Sequence, residues 1–223
     1  MRRAICLDLE TAPLPDASAW LDPVEPAKHL RDPDKIAADL ARREAERRER
    51  LALDPYTCRI VAIGWATESG ETTVALAPTV EDEVRLIRRV AEEIIAPGTR
   101  VLGYNLLRFD LPVLLARSRI LAVAMSIYDR VDLRRYGNAT VVDLYDRLTC
   151  AGQEPTPVLS RSLASMARRF GCPIIAVGDG ADIPRLVEAE AWEDVRAHCH
   201  ADVQQTWWLA QRLGLLRLPG DGA

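Results

Sequence analysis

The sequence predicts an α/β domain: a mixed five-stranded sheet flanked by helices, with strands 1–3 antiparallel and strands 4–5 parallel. Three observations lead there. Three strand-like runs come first, which suits an antiparallel meander. Strands and helices then alternate, which suits parallel strands joined by helical crossovers. And 223 residues, 48% of them hydrophobic, suffice for one substantial core.

Residues 4–9 are a short, mostly apolar run that meets acids, and read as a buried strand. Residues 59–66 form a second strand, and residues 71–77 a third after a Ser69-Gly70 turn. Over residues 80–96, Val84, Ile87, Val90, Ala91 and Ile94 make one apolar helical stripe, which Pro97-Gly98 would stop. Residues 100–104 are a fourth strand, and residues 111–119 a helix after it. A fifth strand is expected over 140–144, a helix over 160–170 closed by Gly171, and a long final helix over 191–213. No internal repeat is visible.

One segment exceeds a minimal domain. Residues 13–56 separate the first two strands, against about 4–6 residues for an ordinary connection. The domain is therefore expected to be single over 1–223, with a helical insert at about 13–56. The helical part, 34–51, interleaves Arg42, Arg43, Arg47, Arg48 and Arg50 with Glu44, Glu46 and Glu49. The ordinary reading is a solvated helix with i,i+4 ion pairs. The functional reading is a flap beside a cleft, whose arginines touch phosphates.

Composition bounds the function. The net charge of −4 argues against a generic nucleic-acid binder, although acids that hold cations are counted in it and the cations reverse the local field. Of 29 basic residues only Lys28 and Lys35 are lysines, a bias that a GC-rich genome produces. Five scattered cysteines without a C-x-x-C pair point to reduced thiols and a cytoplasmic location. The amino terminus lacks a long apolar signal core, and no apolar run reaches the roughly 18 residues of a membrane span.

Four carboxylates in three separated segments carry the chemistry. Asp8 and Glu10 lie in Asp-Leu-Glu-Thr, Asp110 follows Gly103-Tyr104-Asn105 and Phe109, and Asp202 ends His198-Cys-His-Ala-Asp. Alternation puts Asp8 and Glu10 on one face of their strand, at its end. Converging carboxylates without a positive partner need cations, and an all-oxygen site suits Mg²⁺ or Mn²⁺. A pair of such ions about 3.5–4 Å apart is the apparatus of phosphodiester cleavage.

In this order the segments resemble motifs I, II and III of the DEDD 3′–5′ exonuclease superfamily. The likeness is closest to stand-alone exonucleases related to the proofreading domain of family B DNA polymerases, and it runs over nearly the whole chain. The resemblance implies a ribonuclease H-like sheet. It also implies two-ion hydrolysis from the 3′ end of nucleic acid, favouring single-stranded DNA and releasing nucleoside 5′-monophosphates. Asp8 and Glu10 would bind the catalytic ions, with Asp8 able to bridge both, Asp202 completing the shell of the first and Asp110 holding the second. A free 3′ end is the implied partner, with replication or repair proteins beyond it and no membrane. An RNA-trimming exoribonuclease, or a non-catalytic nucleic-acid-binding or polymerase-associated module, is the alternative.

The superfamily places a Tyr four residues, or a His five residues, before the last Asp. Here His198 stands at the four-residue position and Ala197 at the other. Residues i and i+4 share a helix face, so His198 is expected to point beside Asp202 and to orient or deprotonate the attacking water. His200 lies about 200° round the helix. Adjacent side chains diverge on a helix, so His198-Cys199-His200 is no zinc set. Among substrate candidates, Thr11 follows motif I, and Leu9 either wedges against the last base or packs in the core. Asn105 contacts backbone or phosphate, or serves a turn. Arg108 is a phosphate candidate, and Asp143 is expected to play a structural or supporting part. Phe109, Trp192, Trp207 and Trp208 read as packing residues.

Overall fold

The computed structural model describes residues 3–95, 98–125, 140–149 and 160–216. Pro97 and Cys150 lie outside these residues. Five strands form one sheet: β1 (Ala4–Pro13), β2 (Cys58–Thr67), β3 (Thr72–Leu76), β4 (Arg100–Gly103) and β5 (Val141–Asp143), in the order β3-β2-β1-β4-β5. The pairs β1–β2 and β2–β3 are antiparallel, and β1–β4 and β4–β5 are parallel. This is the expected mixed sheet.

The alternation along β1 decides how the two faces are covered. Ile5, Leu7 and Leu9 enter one core with Ile63 and Trp65 of β2. Helices α2 (Val80–Arg89) and α3 (Asp110–Ile120) cover this face through Leu86, Ile87, Leu111 and Leu114. The opposite face presents Ala4, Cys6 and Ala12, with Ala62 and Ala66 of β2, to Val203, Trp207, Val195 and Cys199. Those residues belong to α7 (Trp192–Arg212), which runs along the sheet beside α4 (Leu144–Leu148), α5 (Leu163–Phe170) and α6 (Ile183–Glu188). Small residues on this face let α7 lie close. Trp207 and Trp208 pack in this layer, as expected of them.

Two elements differ from expectation. β1 does not end at the acids: its pairing with β4 stops at Cys6, but its pairing with β2 continues past a bulge between Glu10 and Thr11 to Pro13. The α-helix after β3 ends at Arg89 and finishes as a π-turn over Val90–Ile94, closed by Ile95 N donating to Val90 O. Both α4 and α6 are single short turns that periodicity misses. No helix among the described residues is long and apolar enough to cross a membrane.

The insert between β1 and β2 carries α1 (Pro33–Leu51), capped by Asp32 and with no buried residue. Its charges pair within it: Arg42–Glu46 at 2.5 Å, Arg43–Asp39 at 2.8 Å and Arg47–Glu44 at 2.7 Å. This is the solvated helix that the charge pattern describes. The two ends of the insert meet where Leu14 N donates to Thr57 O (2.9 Å) and Pro13 pairs with Cys58.

One buried ion pair joins three elements. Glu83 (0% exposed) accepts Nε and an outer nitrogen of Arg117 (2% exposed) at 2.7 and 2.8 Å, and the Ile60 N–H at 2.8 Å. Removing one partner strands the other charge in the core. Arg117→Met is expected to cost about 3–5 kcal/mol in a urea melt. A loss below about 1 kcal/mol would show that Glu83 finds water or another donor.

Candidate active site

The acids converge where α7 crosses β1. Asp8 and Glu10 project from the face of β1 that α7 covers, two residues apart on a period-2 strand. Gly64 of β2 stands directly across from Asp8. A methyl group there would lie 2.6 Å from Val203 Cγ2 and 2.8 Å from Cys199 Sγ. The missing side chain lets α7 come down onto the sheet, and α7 carries His198, Cys199 and Asp202. Gly64→Ala is therefore expected to cost about 1–3 kcal/mol by overpacking and to weaken divalent-metal binding. Unchanged melting and metal titration would mean that α7 has slack at this point.

Asp110 arrives from the other side of the sheet. Its Oδ1 accepts the Leu9 N–H at 2.9 Å, a bond spanning 101 residues of sequence. That N–H lies between Asp8 and Glu10, so the bond fixes Asp110 beside both. Asp143 sets the approach: it accepts the N–H groups of Asn105 (3.0 Å), Leu107 (2.9 Å) and Tyr145 (2.9 Å). One carboxylate thus holds the turn that leads into α3 and caps α4. This is the structural part expected of Asp143. Asn105 sits at φ 61°, a left-handed conformation that Asn tolerates.

The histidine geometry is specific. His198 is 6% exposed. Its Nδ1 hydrogen-bonds the Val177 carbonyl oxygen. A carbonyl only accepts, so Nδ1 carries the proton. Nε2 faces the acids, 3.7 Å from Glu10 Oε1 and 3.6 Å from Asp202 Oδ2. Gly178 and Gly180 lie against the two ring nitrogens: a methyl at either would be 3.8 and 3.7 Å away.

The electrostatics are those of crowded anions. Burial, then the charges of Glu10, Asp110 and Asp202, push the Asp8 carboxyl well above the carboxylate range. Burial, with Asp202 and Asp110, does the same to Glu10. Burial pushes Asp110 up to about 7, with Asp143 and Asp202 adding to it and the Leu9 N–H opposing. Burial and Asp179 raise Asp202, while His198 lowers it. Among the described residues, no Arg or Lys pairs with any of the four. Asp8 and Asp202 keep partial exposure, whereas Glu10 and Asp110 are buried. The site thus opens to solvent through the first two.

These donors fit divalent cations. Ligand atoms of Asp8, Glu10 and Cys199 lie within 4.8 Å of one another, as do those of Glu10, His198 and Asp202. Burial pushes the Cys199 thiol far up, so it stays neutral, 3.9 Å from Asp8 Oδ2. A neutral thiol is a poor ligand for a hard cation.

Not every candidate joins the site. Leu9 is 4% exposed and packs in the core on the face opposite the acids, so it is no wedge against a base. Thr11 is also buried and donates to the Ala52 carbonyl at 2.6 Å, which ties down the end of the insert. Both follow from the strand period, which sends odd and even positions of β1 to opposite faces. Arg108 is exposed, pairs with Asp146 at 3.1 Å and lies 4.6 Å over the Tyr145 ring. Sequence reasoning missed the Val177 carbonyl, Cys199 and Asp179. The Gly178-Asp179-Gly180 turn is the signal that could have pointed to a loop near the site.

A model for a family described as predicted 3′–5′ exonucleases related to the exonuclease domain of PolB matches residues 53–218. Asp110 and Asp202 lie within the matched span, and Asp8 and Glu10 precede it. Two solved structures are similar in fold. The family B DNA polymerase of the hyperthermophilic archaeon Pyrobaculum calidifontis aligns over 96% of this chain and 24% of its own, at 19% identity and a TM-score of 0.59. Exonuclease I aligns over 97% of this chain and 42% of its own, at 14% identity and a TM-score of 0.51. The chain thus spans about a quarter of the one and less than half of the other. No curated protein matches it.

Proposed function

Because the chain belongs to the family of predicted 3′–5′ exonucleases related to the exonuclease domain of PolB, we propose that it hydrolyses single-stranded DNA from the 3′ end. The products are nucleoside 5′-monophosphates. The observation that carries this reading is the convergence of Asp8, Glu10, Asp110 and Asp202 with no Arg or Lys partner among the described residues. Such a cluster is tolerable only when protons or cations neutralise it, and cations do so with the acids ionised.

Two Mg²⁺ or Mn²⁺ ions, held by these four acids, would activate the attacking water and offset charge on the phosphorus and the leaving 3′ oxygen. The residues divide the work by position. The charges of Glu10, Asp110 and Asp202 all act on Asp8, which suits a bridging role. Glu10 and Asp202, with His198 between them, make one side of the site. Asp110 is anchored through one oxygen and keeps the other for an ion or its water. His198 turns its Nε2 into the same space, where it would orient or deprotonate the water. Asn105, and Arg108 if it leaves Asp146, would meet substrate phosphates from the turn before Asp110.

The chain is one exonuclease domain in this reading, with 13–56 as an insert whose ends close on each other. The DNA preference follows from the family's tie to a DNA polymerase, and replication or repair proteins in the cytoplasm are the matching partners. Chromatography of the products from single-stranded DNA and RNA of one sequence tests the substrate. Deoxynucleoside 5′-monophosphates from DNA, with RNA slower, are expected. Faster release from RNA would make the protein an exoribonuclease. Binding without release from either would leave a non-catalytic module.

A further inference from the structure

His198 is set up as a ligand. Its Nδ1–H is held by the Val177 carbonyl, so Nε2 has a free lone pair. That lone pair faces two carboxylate oxygens at 3.6 and 3.7 Å, in a side chain more than nine-tenths buried. At these distances none of the three groups hydrogen-bonds another. If Nε2 carried a proton, a charge-assisted bond to a carboxylate would draw in to about 2.7–2.9 Å. The observed spacing is close to the edge of a coordination shell instead. Two donors each about 2.1 Å from one ion at a tetrahedral angle are about 3.4 Å apart.

We infer that Glu10, His198 and Asp202 form one mixed nitrogen–oxygen metal site, with His198 Nε2 as a direct ligand. The inference rests on the two-ion reading and moves His198 from the water to the ion. A nitrogen that gives its lone pair to a cation cannot also accept the water's proton. The Val177 carbonyl then plays the part of an outer-shell partner, fixing the tautomer and the ring plane of a ligating imidazole. The chemistry of the ion follows. Mg²⁺ takes oxygen ligands, whereas imidazole suits transition metals. The site bearing His198 therefore prefers Mn²⁺ or Zn²⁺ to Mg²⁺, and the site of Asp8 and Asp110 remains a hard, all-oxygen site. Loss of an outer-shell partner alone costs about 10–100-fold in metal affinity, so loss of the ligand itself costs at least the lower end of that range.

Pulsed electron paramagnetic resonance of the whole chain loaded with Mn²⁺ reads this directly, without an activity assay. Wild type is expected to show nitrogen hyperfine coupling to Mn²⁺ that changes to the ¹⁵N pattern when histidine is ¹⁵N-labelled. In His198→Ala the coupling disappears, and Mn²⁺ affinity falls tenfold or more while Mg²⁺ affinity falls less. The labelling arm uses unaltered protein, so it stands even where the variant folds poorly. Wild type that binds Mn²⁺ without nitrogen coupling overturns the inference. If that protein still trims 3′ ends, the nuclease reading survives. Nitrogen coupling in a protein that cleaves nothing would support the site and sink the nuclease reading.

Discussion

Asp8→Ala, and separately Asp202→Ala, will abolish cleavage while the protein stays folded. Asp8 lies at the centre of the charge cluster, where Glu10, Asp110 and Asp202 all act on it. Asp202 shares its side of the site with Glu10 and His198. In the proposed two-ion site, removing either carboxylate would take away ligand oxygen where negative charge develops on phosphorus. Loss of one preorganised electrostatic contact at a reacting centre costs about 10²–10³-fold, and loss of an ion's ligand should exceed that. The fold should tolerate the change, because each substitution removes repulsion rather than packing. The fully packed neighbours of Asp8, Leu7 and Leu9, face the other way. Rates with an end-labelled substrate, beside melting curves of both variants, check this. Near-normal turnover in a well-folded variant would remove that acid from the site.

The second large effect couples metal, pH and stability. Without metal, Asp8, Glu10, Asp110 and Asp202 are all easier to protonate in the fold than in the unfolded chain, chiefly because they are buried. A raised carboxyl pKa means that the native state binds more protons than the unfolded state. The stabilising contribution is full below the ordinary carboxylate range, near pH 4. It is lost as pH rises through about 7 for Asp110, and further for Asp8 and Glu10. Metal acts in the opposite sense, because its ligands must be deprotonated. The metal-free protein should therefore melt lower at pH 8 than at pH 5.5, and Mn²⁺ should restore it at pH 8 but barely act at pH 5.5. At a hundredfold excess over Kd each ion adds about 2.7 kcal/mol. Two ions then raise Tm by about 10–20 °C in a chain of this size. Asp8→Asn should raise the metal-free Tm at pH 8 and remove most of the response to Mn²⁺. Equal Mn²⁺ responses at both pH values would contradict the buried-acid account.

Much of this was legible in the residues, for a physical reason. A strand has period 2, so Ile5, Leu7 and Leu9 against Asp8 and Glu10 announce one greasy face and one charged face. A helix has period 3.6, so His198 and Asp202 announce a shared face. These local rules, with the connections between elements, gave the sheet and its strand directions; the convergence of the four acids came with the family resemblance. What could not be read was contact at a distance. Nothing in the chain says that the Leu9 N–H will hold Asp110, or that the carbonyl of Val177, in a loop, will fix a histidine on α7. Backbone groups carry no sequence label. Gly64 is another such case: its importance lies in Val203 and Cys199 above it. Leu9 takes the core alternative, and the Thr11 hydroxyl goes to the Ala52 carbonyl; both are candidates by proximity to the acids in sequence, which the strand period overrules. Short helices such as α6, six residues with a proline in the first turn, escape periodicity because they complete barely one repeat.

The central claim is that these acids cut nucleic acid from the 3′ end with divalent metal. A 5′-labelled single-stranded oligonucleotide, digested with Mn²⁺ or Mg²⁺, tests it most directly when EDTA and Asp8→Ala run alongside. The account predicts a ladder that shortens from the 3′ end and disappears in EDTA and in the variant. A ladder that persists in EDTA or with Asp8→Ala, or immediate release of the 5′ label as mononucleotide, would contradict it.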